Sequence, residues 1–266
     1  MFADFHLHSH CSDGRLDPAL LVDCVADAGV EVFALTDHDT TAGHGAARQR
    51  AMERALKFVP GIEMTTYAHG RVIHVLGLGC DGSNDELQAA NEIAHNVWDA
   101  NQCRWIAALA RDGANIDLAR DFLDHPVRLP VLIERLVRRG VGGGDPLRVH
   151  ARFREFFSDL PQQAYTQLPT PEKAASMIRH CGGLALLAHP MALREAGLAE
   201  TLLAHCDGLE AIYLAYGEAE QASLRALAIK HGKFYCGGSD YHGYFEAAYR
   251  PPGFAAPAPL LERLGL

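Results

Sequence analysis

Short apolar runs along this chain end, one after another, in ionisable residues. Asp4-Phe5-His6-Leu7-His8 leads into a turn with Asp13-Gly14, and Glu31-Val-Phe-Ala-Leu-Thr36 into Asp37-His38-Asp39. Phe58 to Ile62 precedes Glu63, and Val72-Ile-His74-Val75 carries its own histidine. Gly183 to Ala188 ends in His189-Pro190, and Phe234 to Gly237 leads to Ser239-Asp240-Tyr241-His242. Burying so many ionisable groups without partners would be costly. A chain with this pattern therefore has to gather them at one place.

The spacing says how. Residues 3–8 read as a first strand, and since i and i+2 share a face in a strand, His6 and His8 converge on one ion. Between the apolar runs lie helix signals. Asp17-Pro18 is an N-cap followed by proline at N1, with Leu20, Leu21, Cys24, Val25 and Ala28 at helical spacing and Gly29 as the stop. Thr170-Pro171 repeats that signal. Further helices are expected at 42–56 and 217–231. Tyr67 to Arg71 reads as a hairpin turn between antiparallel neighbours. About seven strands result, all with a candidate ligand except Leu209-Glu-Ala-Ile-Tyr213. A length of 266 residues suits an α/β barrel, in which loops after the strand C-termini build one mouth.

Residues 84–165 break the alternation. A long helix from 84 to 112 and helical segments near 117–124, 130–139 and 146–157 predict a helical insertion at 100–165, lying over the mouth of a barrel made by 1–99 and 166–266. Between Arg128 and Arg154 there are seven arginines against Glu134 and Asp145, a local balance of +5 in a chain of net charge -9. Arg148 and Arg135 are the candidates to hold a phosphate through the planar guanidinium fork. A solvated helical face is the bland alternative.

The candidate metal ligands are His6, His8, Asp13, His38, Glu63, His74, His189, Asp240 and His242. Nitrogen and carboxylate donors without thiolate suit Zn²⁺, Mn²⁺ or Fe²⁺. Glu63 can bridge two ions, and two ions about 3.5–4 Å apart can share a hydroxide, which is the chemistry of phosphoester hydrolysis. One of Asp37 and Asp39 is expected to orient a ligand. His10 continues the i+2 series without an assignable role.

Composition narrows the setting. Hydrophobic content of 48% with 21% charged residues is that of an ordinary globular protein. Seven cysteines without a CxxC pair predict reduced thiols. With no apolar run long enough to span a membrane and no leader-like start, a cytoplasmic protein is expected. The net charge of -9 argues against a polyanion covering the surface, while leaving room for a small anion at bound cations.

The motifs His6-x-His8-xxx-Ser12-Asp13-Gly14, Thr36-Asp37-His38-Asp39, Gly61-Ile62-Glu63, His74, Ala188-His189-Pro190 and Gly238-Ser239-Asp240-Tyr241-His242 resemble those of the polymerase and histidinol phosphatase (PHP) family. Within it they resemble the stand-alone TrpH/YciV-like metal-dependent phosphoesterases. The resemblance runs from residue 6 to 242 and no ligand position is substituted. It implies a distorted (β/α)7 barrel with three divalent ions, manganese first and zinc or iron as alternatives. One ion takes His6, His8, Glu63 and Asp240. A second takes Glu63, His74 and His189, and the third Asp13, His38 and His242. It also implies a phosphatase that removes the 3′-phosphate from a nucleoside 3′,5′-bisphosphate, with Glu63, Asp240 and His242 as the catalytic group. The residue that moves the leaving-group proton stays open between Asp240 and a histidine. A 5′-to-3′ exonuclease on short 5′-phosphorylated RNA, a histidinol-phosphatase-like enzyme and a non-catalytic metal-binding module are the rivals. The expected partner is a small phosphorylated nucleotide, with short oligonucleotides next and neither membrane nor stable protein partner.

Overall fold

The structure, a computed structural model, describes residues 1–116, 129–195, 197–244 and 248–266. These form two compact units, Met1–Asn91 with Pro169–Leu266, and Glu92–Leu168.

The first unit is a mixed α/β barrel. Its strands are β1 (Phe2–Asp4), β2 (Val32–Leu35), β3 (Lys57–Ala68), β4 (Arg71–Leu78), β5 (Leu184–Leu187), β6 (Gly208–Tyr213), β7 (Phe234–Gly238) and β8 (Phe254–Ala255). They form one sheet in the order β7-β6-β5-β4-β3-β2-β1-β8. Pairing is parallel except around β4, which is antiparallel to β3 and β5, and at β8, which is antiparallel to β1. The expected hairpin is thus present, with Ala68 paired to Arg71.

The first strand is shorter than the sequence suggests. β1 ends at Asp4 because the next residues change partner: Phe5 N donates to Gly237 O at 3.0 Å, Asp240 N to His6 O at 2.9 Å and His8 N to Tyr241 O at 3.1 Å. Phe5 to His8 bonds the end of β7 while Leu7 keeps its bonds to Thr36 just past β2, which brings the two ends of the sheet together. The proline-rich tail, residues 251–259, contributes β8 on β1.

The strands read as unbroken apolar runs because both faces are covered. In β2, Val32 and Ala34 join Leu76, Leu78, Leu184 and Leu186 in one cluster. Phe33 and Leu35 point the other way, against Leu21, Val22 and Val25 of α1 (Pro18–Asp27) and Ala47 and Ala51 of α2 (His44–Glu53). The Asp17 side chain caps α1 by accepting from Ala19 N at 2.9 Å. Asp17→Ala should therefore lower stability by about 1 kcal/mol in urea unfolding with an unchanged slope. Helix α3 (Asp85–Arg111) leads from the first unit into the second.

In the second unit, α4 (Leu129–Arg138) and α5 (Pro146–Ser158) pack Leu132, Leu136, Val149 and Phe153 against Trp105 and Leu109. The helix expected near 117–124 and Arg128 lie outside the described residues. The first unit resumes with α6 (Pro171–His180), which Thr170 caps as expected, and continues with α7 (Leu198–Leu203), α8 (Glu218–Lys230) and α9 (Ala258–Arg263). Among the described residues no helix is long and apolar enough to cross a membrane.

Candidate metal centre

All nine candidate ligands meet around Glu63, which is fully buried in β3. Its two carboxylate oxygens face different neighbours. Oε2 lies 3.0 Å from His6 Nε2, 3.2 Å from His8 Nε2 and 3.3 Å from His38 Nδ1. Oε1 lies 3.1 Å from His74 Nδ1 and 3.0 Å from His189 Nε2. Asp240 Oδ1 adds a second carboxylate oxygen 3.3 Å from His6 Nε2 and 3.1 Å from His8 Nε2. Asp13 stands 3.2 Å from His242 Nε2 and 3.8 Å from His38 Nε2.

Three groups emerge in which every donor atom lies within 4.8 Å of the others: His6, His8, Glu63 and Asp240; His8, Asp13, His38 and His242; and His38, Glu63 and His74. His189 belongs beside the last of these, 3.3 Å from His74. His6, His8 and Glu63 form the buried floor, and the remaining ligands are partly exposed above it.

Several loops are locally unusual in order to reach this point. His189 and Asp240 both have positive φ, 26° and 53°, a conformation uncommon for residues other than glycine. Asp37 accepts from Ser9 N, Ser9 Oγ and Ser12 Oγ at 2.6–2.7 Å, which fixes the turn from His8 to Asp13. Asp39 accepts from Thr65 N and Oγ1 and ties its loop to β3. Asp37 thus fixes the turn that carries Asp13, and Asp39 ties the loop of His38 to β3. His10 stays apart from the cluster, with its ring 3.9 Å from Asp17.

The residues fit divalent metal ions. Both ring nitrogens of His8 and Nδ1 of His38 are buried and make no hydrogen bond, although carboxylates surround them. Protonating every ring would set like charges against one another. Burial pushes His38 down to about 3, over the pull of Glu63 and Asp13. His242 goes the other way: burial opposes its charge, yet Asp13 and Asp240 raise it to about 10. Burial would likewise raise Glu63, but His6, His38 and His74 hold it well below the usual carboxylate range, so it stays ionised. Imidazole nitrogens and ionised carboxylates converging at 3.0–3.3 Å are a donor set for Zn²⁺, Mn²⁺ or Fe²⁺. His242 Nδ1 already donates to Asp240 O at 2.8 Å, leaving Nε2 toward Asp13.

The sequence did not point to three further residues at the site. Glu210 is fully buried and 3.0 Å from His6 Nδ1, Tyr213 Oη donates to Asp240 Oδ2 at 2.7 Å, and Asp4 accepts from Ser239 N and Tyr249 Oη. The signal that was available is a glutamate inside an apolar strand, which needs a buried partner. Beside the cluster a cleft of about 290 Å³ runs along His74 and His189, between Gly70, Arg71 and Leu193. Arg135 and Arg148 lie in the second unit, on exposed faces of α4 and α5, with Arg148 Nε 3.5 Å from Asp145.

A buried carboxylate shared among imidazole groups could hold divalent ions of the kind that activate water for hydrolysis. No protein-family model matches the chain. Among curated proteins it is 30% identical to the phosphoribosyl 1,2-cyclic phosphate 1,2-diphosphodiesterase of Eggerthella lenta, over 97% of this chain and all of that one. It is 30% identical to the 5′-3′ exoribonuclease Rnm of Escherichia coli, over 90% of this chain and 84% of that one. The 3′,5′-nucleoside bisphosphate phosphatase of Chromobacterium violaceum is 28% identical over 90% of this chain and 86% of its own. A Bifidobacterium adolescentis protein shares the fold with a TM-score of 0.81 at 24% identity, over 99% of this chain and 95% of that one. The chain belongs to the PHP family and is a metal-dependent phosphoesterase, a hydrolase of phosphoric esters.

Proposed function

We propose that this enzyme removes the 3′-phosphate from a nucleoside 3′,5′-bisphosphate, converting adenosine 3′,5′-bisphosphate to AMP. The observation that carries the reading is Glu63, whose two oxygens face separate imidazole sets, as a carboxylate bridging two ions must. The Chromobacterium violaceum relative, named for such a phosphatase, supplies the substrate class. In this reading His6, His8, Glu63 and Asp240 hold one ion, Glu63, His74 and His189 a second, and Asp13, His38 and His242 a third, with manganese ahead of zinc or iron. Bound there, divalent ions supply positive charge to the phosphoryl oxygens and lower the pKa of a water toward neutrality.

The protein's own groups do the rest. Glu63 remains an anion without hydrogen to offer, so its oxygens serve only as acceptors or ligands. Burial would raise Asp240, but His6 and His242 hold it well below the usual carboxylate range, and Tyr213 donates to its far oxygen. His242 keeps its Nδ1 proton on Asp240 O and turns Nε2 to Asp13. Arg148 and Arg135 are assigned to hold phosphate. Each changed to alanine should raise KM by about tenfold with kcat nearly unchanged, as loss of one charge-assisted contact requires. An unchanged KM in both would remove them from the account. Among the described residues no disulfide joins the cysteines.

The Escherichia coli relative favours a second reading, 5′-to-3′ hydrolysis of short RNA. Steady-state rates on a nucleoside 3′,5′-bisphosphate, a 5′-phosphorylated oligoribonucleotide and histidinol phosphate separate the two. The bisphosphate should lead in kcat/KM by about 100-fold. A leading oligonucleotide, or equal rates on all three, would overturn the choice of substrate.

A further inference from the structure

β6 carries no candidate ligand, yet two of its side chains reach three of them. Glu210 has no solvent exposure, and among the described residues no lysine or arginine pairs with it. Its Oε1 accepts from His6 Nδ1 at 3.0 Å and its Oε2 accepts from the His189 backbone N–H at 2.8 Å. Three residues along the strand, past the irregular register between Glu210 and Ile212, Tyr213 Oη donates to Asp240 Oδ2 at 2.7 Å. We propose that β6 is the positioning strand of the metal centre, with Glu210 fixing His6 and His189 and Tyr213 fixing Asp240.

The chemistry follows from what each contact leaves free. A neutral imidazole has one N–H, and a carboxylate at Nδ1 keeps the proton there. Nε2 of His6 then presents its lone pair toward Glu63 and Asp240, at 3.0 and 3.3 Å. The other oxygen of Glu210 acts on the backbone. His189 has φ 26° and ψ 60°, a conformation that needs an external hold, and the bond from its N–H gives it one. A single buried carboxylate therefore sets the ring of one ligand and the chain direction of another, on two different ion groups. Tyr213 occupies the far oxygen of Asp240, itself at φ 53°, so that Oδ1 faces His6 and His8. Gly238 makes this closeness possible: a Cβ there would lie 2.8 Å from Glu210 Oε1.

This proposal rests on the ligand assignment above, and its test keeps the two apart. Glu210→Gln preserves volume but leaves one acceptor oxygen for two donors. If the amide nitrogen turns toward His6, the imidazole proton moves to Nε2 and blocks it as a ligand. Manganese affinity, measured by dialysis against graded Mn²⁺ and elemental analysis, should fall about 10- to 100-fold. The visible absorption of the Co²⁺-loaded protein should change, while circular dichroism of the metal-free protein stays as in the parent. Parental Mn²⁺ affinity and Co²⁺ spectrum would overturn the proposal. Glu63→Gln, run alongside, must lose metal; if it does not, the ligand assignment itself fails, whatever Glu210→Gln does. Should Glu210→Gln not fold, Tyr213→Phe decides, because it removes one partly exposed hydroxyl. It should lower Mn²⁺ affinity by about 3- to 10-fold and alter the Co²⁺ spectrum, and parental values for both would count against the positioning strand.

Discussion

Replacing Glu63 with glutamine will reduce phosphate release to about one thousandth of the parent rate or less and leave the purified protein depleted of metal. The substitution keeps the shape of the side chain and removes its charge. Each of its oxygens faces nitrogens of more than one histidine, so no single contact is lost in isolation. With an amide, one edge of the group becomes a donor and is turned toward imidazole nitrogens that need an acceptor or an ion. The variant will still fold, because its neighbours Ile62 and Met64 keep their places in the core. Elemental analysis and a phosphate-release assay on one preparation check both halves. Retained metal with lost activity would make Glu63 catalytic without being a ligand.

Alanine at Gly238 will destabilise the barrel and its metal centre together. A Cβ there would stand 2.1 Å from His6 Cβ and 2.9 Å from His6 N, atoms of a chain segment that cannot swing aside. Relief requires Phe5 to His8 to separate from the end of β7, which breaks the bonds that bring the sheet ends together. Overpacking of this kind costs about 1–3 kcal/mol or more, and here it also displaces His6 from Glu63. Both the melting temperature and the metal content should drop. Gly45→Ala is the control, for the added Cβ meets nothing within 4 Å in α2. It should be neutral or stabilising by about 0.4–1 kcal/mol. A Gly238→Ala protein with parental melting temperature and metal would contradict the closure described for the barrel.

Most of the candidate ligands were legible because they stand at or beside a strand, where a polar residue interrupts an apolar run. His6, His38, Glu63, His189 and Asp240 all announce themselves this way, and two N-caps, Asp17 and Thr170, marked their helices. Glu210 was not legible for the converse reason. It lies inside an apolar strand, and its partners, His6 and His189, are distant along the chain. Asp4 and Tyr249 meet across nearly the whole chain, at 2.8 Å, and no local pattern encodes that. β8 is two residues long and sits among prolines, so neither length nor alternation marks it. The partner gained after Asp4 is equally a tertiary event: the same extended residues read as one strand until β7 is known to pass beside them.

The most direct test is to identify the product. Protein loaded with Mn²⁺ is given adenosine 3′,5′-bisphosphate, and the reaction is followed by phosphorus nuclear magnetic resonance. The account predicts loss of the 3′-phosphate signal, growth of inorganic phosphate and retention of the 5′-phosphate resonance of AMP, with none of this after chelation. Release of the 5′-phosphate instead, or no phosphate from fully metal-loaded protein, would contradict it.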